Sequence, residues 1–494
     1  MSLQAALSTA LSSLAAEQRQ SALIANNIAN ANTEGYVRRD LPRTESLVGG
    51  TGAGVSTGTV KRASDAALAA ASRTASANEA YAAAQQKLLQ AYTAHIGQAS
   101  DERSISHRLG AFQTAMTKLS AEPANAVAQS QALSSAQDMV DSLHHMTDAV
   151  AQARVSADQS VAQDVAAVNS ALDNLAEIDR QMAYASARGA STAEFEDRRD
   201  TLVAEIGTKV PLRIFDNGPG QLILMSDGGN TLYDSTTVHH LSFTHTPGIP
   251  AASGSAGLSQ VKVNGQALRI SESGSIAAAL TLRDQTLPRF NDMLDQVATQ
   301  LANAFQAADE TPSGGAAGLF VDPLKKNSAE ELVWDQLAAG DAGYPVSGMA
   351  SRITINPAAD PELGGDLWRM RTGLDPSATD AGNASDNSWI LAALNAMDAA
   401  RDYAGSSGLP SKMNLTQAAS QSVGLMQSER AVWTDRAGSR AALALQAREE
   451  LVNKTAVNID EELQRLMLVQ QTYSASVQII QAASRMFEEL SQIR

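Results

Sequence analysis

The sequence predicts a mainly α-helical protein with inserted β segments: terminal coiled-coil helices, an elongated helical bundle and small β-rich insertions. Three observations carry that prediction. Apolar residues recur at intervals of three and four through most of the 494 residues, the spacing that places them on one face of a helix. Aromatic residues make up only 4% of the chain while alanine is abundant, a composition suited to closely packed helices. Short apolar runs divided by Asp-Gly and Asn-Gly turns, the mark of strands, are confined to the middle of the chain.

The first predicted element is residues 1–36, an N-terminal axial helix. Leu3, Leu7, Leu11, Leu14, Ala22, Ala25 and Ile28 follow one another at helical spacing, interrupted by Glu17, Gln18 and Ser21. The asparagines from Asn26 to Asn32, followed by Gly35, end it, because both residue types tolerate the left-handed turn at a helix terminus. Residues 40–60, rich in glycine, read as a loop. Residues 60–209 form the first part of a helical bundle, with Val140, Leu143, Val150, Val161, Val165, Val168, Leu172, Leu175 and Ile178 on one stripe.

The texture changes at Val210. Residues 210–275 form a β-rich insertion, whose strongest hairpin signal is Val261-Lys262-Val263, Asn264-Gly265, Leu268-Arg269-Ile270. Residues 276–309 return to helix with Leu280, Leu287, Leu294, Val297 and Leu301 as the second part of the bundle. Residues 310–380 are rich in Gly, Pro and Asp and form an irregular insertion with one strand near Ile353. Both insertions are expected in the outer, solvent-facing layer, where loops vary most freely.

The third part of the bundle spans 385–456, interrupted near 403–410, and residues 457–494 form a C-terminal axial coiled-coil helix. There Ile459, Leu466, Tyr473, Ile480 and Phe487 stand seven apart, flanked by Leu463 and Val477 on one side and by Val469, Ala483 and Leu490 on the other. A heptad of this kind needs a partner helix. An isolated helix is marginal in water, so both terminal helices are expected to be poorly ordered in the monomer and to pair on assembly.

Charge and chemistry exclude most other classes. Lys and Arg number 37 against 53 Asp and Glu, for a net charge of −16, which opposes nucleic-acid binding and gains nothing at an anionic membrane. No apolar run reaches the roughly 18 residues needed to span a bilayer. The absence of cysteine removes disulfides and thiolate chemistry. The N-terminus lacks the basic region and compact apolar core of a cleaved signal peptide. Gly54-Val55-Ser56-Thr57-Gly58 matches the nucleophile-elbow pattern, but no apolar strand precedes Ser56. His144 and His145 point about 100° apart on a helix, and His239, His240 and His245 stand with no carboxylate at a fixed ligand spacing. The reading therefore assigns no catalytic residue, cofactor or metal site.

Asn26, Asn27, Asn30, Asn32, Thr33, Gly35 and Tyr36 form a dense turn motif at the end of the first helix. The stretch 25–36 resembles the signature of flagellar rod, hook and hook-associated proteins, with Glu34 where that superfamily commonly has proline. Val457-Asn458-Ile459-Asp460-Glu461-Glu462-Leu463, followed by Gln470-Gln471-Thr472-Tyr473-Ser474-Ala475-Ser476, is similar to its C-terminal motif. Within the superfamily, the length, the segment from Val60 to Leu68, the segment 274–305 and the ending from Ile479 to Leu490 resemble the hook-associated protein 1 family.

That resemblance implies a structural flagellar protein, not an enzyme, secreted through the type III export route and installed at the extracellular hook–filament junction to support filament assembly and motility. The partners it implies are further copies of the chain, hook protein, the second hook–filament junction protein and an export chaperone at the C-terminal helix. On this reading Leu3, Leu7, Leu11, Leu14 and Ile28 form the N-terminal assembly face. Ile459, Leu463, Leu466, Tyr473, Val477, Ile480 and Phe487 form the C-terminal one. The alternatives are a hook or distal-rod structural protein and, more remotely, a cell-wall hydrolase on a helical scaffold.

Overall fold

The computed structural model describes residues 3–33, 35–48, 51–218, 221–309, 317–375, 379–380 and 383–492; the side chains of 3–5, 48, 51–53 and 490–492 lie outside the description, and with them those of Leu3 and Leu490, as does Glu34. Among the described residues the helices are α1 (Leu3–Ala29), α2 (Ala66–Ile96), α3 (Ile105–Ala121), α4 (Ala126–Ala187), α5 (Ala193–Lys209), α6 (Ser275–Thr281), α7 (Leu287–Ala308), α8 (Met349–Arg352), α9 (Arg369–Thr372), α10 (Ser388–Asp398), α11 (Leu415–Thr455) and α12 (Ile459–Gln492). The chain is mainly α-helical, with only small antiparallel sheets between the helices.

Local chemistry starts these helices. Asp65 accepts hydrogen bonds from the Ala67 and Leu68 amides, Asn125 from those of Val127 and Ala128, and Asn414 forms a reciprocal capping box with Gln417, each satisfying amides that the first turn leaves unpaired. The 62 residues of α4 make a rod about 93 Å long. The first half of α4 buries Ala132, Met139, Leu143 and Val150 in a bundle core with α2, α3, α7, α10 and the start of α11. Tyr81 packs on Trp433, and Tyr92 donates to the Met426 sulfur at 3.2 Å, so α2 and α11 run antiparallel.

The second half of α4 buries Val161, Val165, Val168, Leu172 and Leu175 in a separate core. That core is closed by α5 and a three-stranded antiparallel sheet, Leu212–Asp216, Leu222–Ser226 and Thr231–Asp234. The Val263 hairpin is shorter than its sequence suggests. Lys262–Val263 and Gln266–Ala267 pair as strands, and the Leu268 amide bonds the Val261 carbonyl at 2.8 Å, across a turn in which Asn264 and Gly265 both have positive φ, 52° and 77°. Where α4 passes from one core to the other, buried Arg154 donates to the carbonyls of Pro250, Ala251 and Ser253. Asp158, also buried, binds Arg283 and His245. Arg283 lies in a widened turn, Leu282–Thr286, in which the Leu287 amide bonds the Leu282 carbonyl just before Pro288. Proline has no amide to continue the helical ladder.

Two expectations are corrected. Residues 40–60 are not a loop: Arg43–Val48 and Thr51–Thr57 form an antiparallel hairpin. It lacks an apolar alternation and is held by polar contacts to α1 described below, so hydropathy alone does not reveal it. The irregular segment after 310 does not sit in an outer layer. Leu319, Phe320, Met349, Ile353, Ile355 and Met370 are buried in the bundle core, where Phe320 meets Phe305 edge to face at 4.8 Å and Phe112 at 5.8 Å. Tyr92, Phe112, Phe290, Phe305, Phe320, Trp334, Trp389 and Tyr403 are gathered in this core.

Candidate assembly interface

The terminal helices pair within one chain. Along α1, Ala10, Glu17, Gln20, Ile24 and Asn27 are buried and Ser13 is half-buried, a run of alternating threes and fours. Along α12, Glu462, Val469, Ser476 and Ala483 are buried at heptad spacing, with Arg465, Leu466 and Ile480 half-buried between them. Asn27 bonds Glu462 at 3.2 Å and Ser13 bonds Ser476 at 3.3 Å. Fourteen residues forward on α1 thus match fourteen back on α12, so the pair is antiparallel and in register over two heptads.

This seam is unusually polar, and Glu17 and Asn27 within it are fully engaged. Glu17, 3% exposed, receives both Arg43 guanidinium nitrogens at 2.8 and 3.2 Å. Asn27, 1% exposed, donates to the Arg39 carbonyl at 2.9 Å and to Glu462, and accepts from the Tyr36 hydroxyl at 2.8 Å and the Arg39 amide at 3.2 Å. Burial pushes the Tyr36 hydroxyl pKa up, against the opposing charge of Arg39. The hairpin docks on α1 through the Val55 amide to Ser12 at 3.1 Å and through Arg19 to Thr57 at 2.8 Å. Gly54, with φ +124°, lets the backbone come this close: a Cβ there would lie 2.1 Å from the Ser12 hydroxyl.

The turn motif is a chain of local bonds. The Asn30 side chain donates to the Asn26 carbonyl at 2.9 Å and to its Oδ1 at 2.8 Å, and accepts from the Thr33 hydroxyl at 3.3 Å. The Tyr36 amide bonds the Thr33 carbonyl, and Gly35 takes φ +79°, a conformation that favours glycine. Asn32 is exposed. At the start of α12, Asn458 accepts the Asp460 and Glu461 amides, and Asp460, Glu461 and Glu462 lie at the positive end of the helix dipole.

The residues singled out by hydropathy lie mostly beside this seam. Leu7, Leu14 and Ile28 are half-buried, as are Leu466, Val477 and Ile480; Leu11, Ile459, Leu463, Tyr473 and Phe487 are exposed. On α1 the closest-packed stripe is displaced by one residue, about 100°, because Ser13, Glu17, Gln20 and Asn27 fill it. The heptad match between Ala10–Ser13–Glu17–Gln20–Ile24–Asn27 and Glu462–Val469–Ser476–Ala483 is the sequence signal that would have located it. Exposed on the outer faces are Leu11, Met467 (57%), Leu468 (63%), Ile479 and Met486. An open groove of about 620 Å³ runs between the helices, lined in part by Glu17, Ser21, Ala25, Val469 and Tyr473. Such a surface can receive apolar helices.

The serine and histidines weighed in the sequence have separate settings. Ser56 lies in the hairpin strand opposite Thr44, not at a strand-to-helix turn. The histidines have separate neighbours: His144 the Ile353 carbonyl, His239 Asn264, His240 Asp173 and His245 Asp158. Among the described residues no three acidic or histidine side chains stand together as metal ligands, and no helix is long and apolar enough to cross a membrane.

Comparison with known proteins meets this geometry at three places. Residues 95–313 match the helical domain of the flagellar hook-associated protein FlgK, residues 7–36 the flagella basal body rod protein family, and residues 449–493 the C-terminal family of the basal body rod proteins FlgEFG. Hook-associated protein 1 of Salmonella typhimurium is 25% identical over 310 residues, covering 60% of this chain and 55% of its own, and that of Bacillus subtilis is 24% identical over 235 residues, covering 45% and 46%. These matches thus span about half the length of those relatives. The Escherichia coli protein of the same name aligns over 99% of both chains at 22% identity. The flagellar hook junction protein FlgK from Burkholderia pseudomallei shares the fold, with a TM-score of 0.56 and 12% identity over 77% of this chain and 98% of its own.

Proposed function

The chain belongs to the flagellar hook-associated protein 1 family, and from that premise we propose that it is a structural, non-catalytic part of the extracellular flagellum that joins hook to filament and is needed for filament assembly. The observation that carries this reading is the terminal pair: two helices whose sequences match axial rod-protein families, locked by a polar seam, with large apolar side chains facing outward. Apolar patches of this kind mark interaction sites. Their proposed occupants are the equivalent helices of further copies, with hook protein below and the second junction protein above.

On this reading Leu3, Leu7, Leu11, Leu14 and Ile28, with Ile459, Leu463, Leu466, Tyr473, Val477, Ile480 and Phe487, contribute to contacts between subunits. The motif Asn26, Asn27, Asn30, Asn32, Thr33, Gly35 and Tyr36 fixes the exit from α1. The direct test is Leu468→Glu combined with Ile479→Glu, both at exposed positions. The purified variant should keep wild-type helix content yet fail to enter the hook tip, leaving hooks without filaments; normal filaments would refute the assignment. A chain lacking residues 459–494 should also lose binding to an export chaperone, and retained binding would place the chaperone elsewhere. A deletion strain with no hooks at all would favour the hook or distal-rod alternative.

A further inference from the structure

Helices carry the chain between the bundle core and the second core. α4 makes the passage near Arg154. α6 and α7 make it through the widened turn Leu282–Thr286, with Ile276 and Ala279 in the second core and Leu282 and Leu287 in the bundle core. A further crossing is not helical. The chain leaves the second core after Leu241, buries Ala251 in the bundle core and returns to the second core at Val261. Between them runs an irregular stretch, residues 243–254, with neither helix nor strand.

Its anchors are two buried charges on α4, one turn apart and so on one face of the helix. Arg154, 0% exposed, donates through Nη1 to the carbonyls of Pro250 at 2.6 Å, Ala251 at 3.1 Å and Ser253 at 2.6 Å, and to the Ser253 hydroxyl at 3.0 Å. Its Nη2 reaches the Gly254 carbonyl at 3.4 Å. Asp158, also 0% exposed, accepts the His245 ring at 2.7 Å and the Thr246 amide at 2.8 Å on Oδ2, and Arg283 on Oδ1. Arg154 Nε closes the set on the Arg283 carbonyl at 3.0 Å. The helical crossings and the irregular one therefore meet in a single polar knot.

A buried guanidinium is tolerated where its charge is hydrogen-bonded, and here the carbonyls of the irregular stretch do that. The dependence is mutual: without Arg154 those carbonyls lose a buried donor. We propose that residues 243–254 are a strap that couples the two cores, so that the sheet of the second core does not open while the bundle stays folded. Regions with separate cores otherwise open sub-globally, each at its own free energy. Arg154 and Asp158 are positioning residues that act through the strap. The coupling is independent of how copies assemble and involves neither terminal helix.

The tryptophans make the two cores separately readable. Trp334 and Trp389 are buried in the bundle core, Trp433 packs against it, and the second core contains no tryptophan among the described residues. Tryptophan emission thus follows the bundle, while pulsed hydrogen exchange over 222–234, in the sheet of the second core, follows the other. In the full-length protein both should give one urea midpoint. In Arg154→Met the exchange midpoint should fall below the emission midpoint by about 1 M urea, while circular dichroism in buffer shows unchanged helix content. Should Arg154→Met lose helix, His245→Ala, at a partly exposed side chain, removes one strap contact and should separate the midpoints in the same order by less. Midpoints that differ in the unmodified protein, or that coincide in the folded variant, overturn the strap.

Discussion

Asn27 has two donors and two acceptor sites, and all four are used inside the protein, on Arg39, Tyr36 and Glu462. Asn27→Ala would leave a buried amide, a hydroxyl and a carboxylate short of partners, at about 1–3 kcal/mol. Faster hydrogen exchange at the start of α12 should report it. Asn27→Asp should be worse near neutral pH, because it sets a second carboxylate against Glu462; equal exchange in the two variants would contradict this. Arg43 poses the same kind of test: Arg43→Ala strands the buried Glu17, and adding Glu17→Gln should restore part of the lost thermal stability. At Gly54 the conflict is steric. Gly54→Ala drives a Cβ into Ser12 at a positive φ that costs on the order of 1–3 kcal/mol outside glycine, and should loosen the hairpin as read by limited proteolysis.

At the scale of elements, α7 explains why an irregular segment can be part of a core. Its polar side chains stand in for a sheet. Asp295 accepts the Gly348 and Ala350 amides, Gln306 that of Gly318 and Gln296 that of Ala404, while Gln300 and Asn303 donate to the Asp402 and Leu337 carbonyls. Buried backbone groups need such partners. Burial raises the pKa of Asp295 and of Asp309 to about 6, above the ordinary 3.8. Between those values the folded chain holds protons that the unfolded chain has released, so these groups stabilise the fold at low pH and lose that contribution as pH rises through 6. The melting temperature should therefore rise from pH 7 to pH 5, and Asp309→Asn should flatten the rise.

The helices were legible from spacing, the long α4 among them. The hairpin at 43–57 and the loops on α7 were not legible, because their hydrogen bonds run to side chains more than ten residues away. The α1 seam was hidden for a related reason. Hydropathy finds leucines, and this seam is filled by Ser13, Glu17, Gln20 and Asn27. The turn motif was legible because its bonds between Asn26 and Asn30, Asn30 and Thr33, and Asn27 and Tyr36 are local, whereas the Asn27 bond to Glu462 was not legible.

At the scale of the molecule, the bundle carries a terminal module whose seam sets Glu17, Asn27, Glu462 and Ser476 among Ala10, Ile24, Val469 and Ala483, and whose surface exposes Met467, Leu468, Ile479 and Met486. A polar seam costs stability but fixes register, and the apolar outer faces remain free for neighbours. The most direct measurement is a cryo-EM map of the hook–filament junction containing this chain. In that map α1 and α12 should be paired antiparallel, with Asn27 on Glu462, and Met467, Leu468, Ile479 and Met486 should be buried against adjacent copies. A map with those four side chains facing solvent would contradict it.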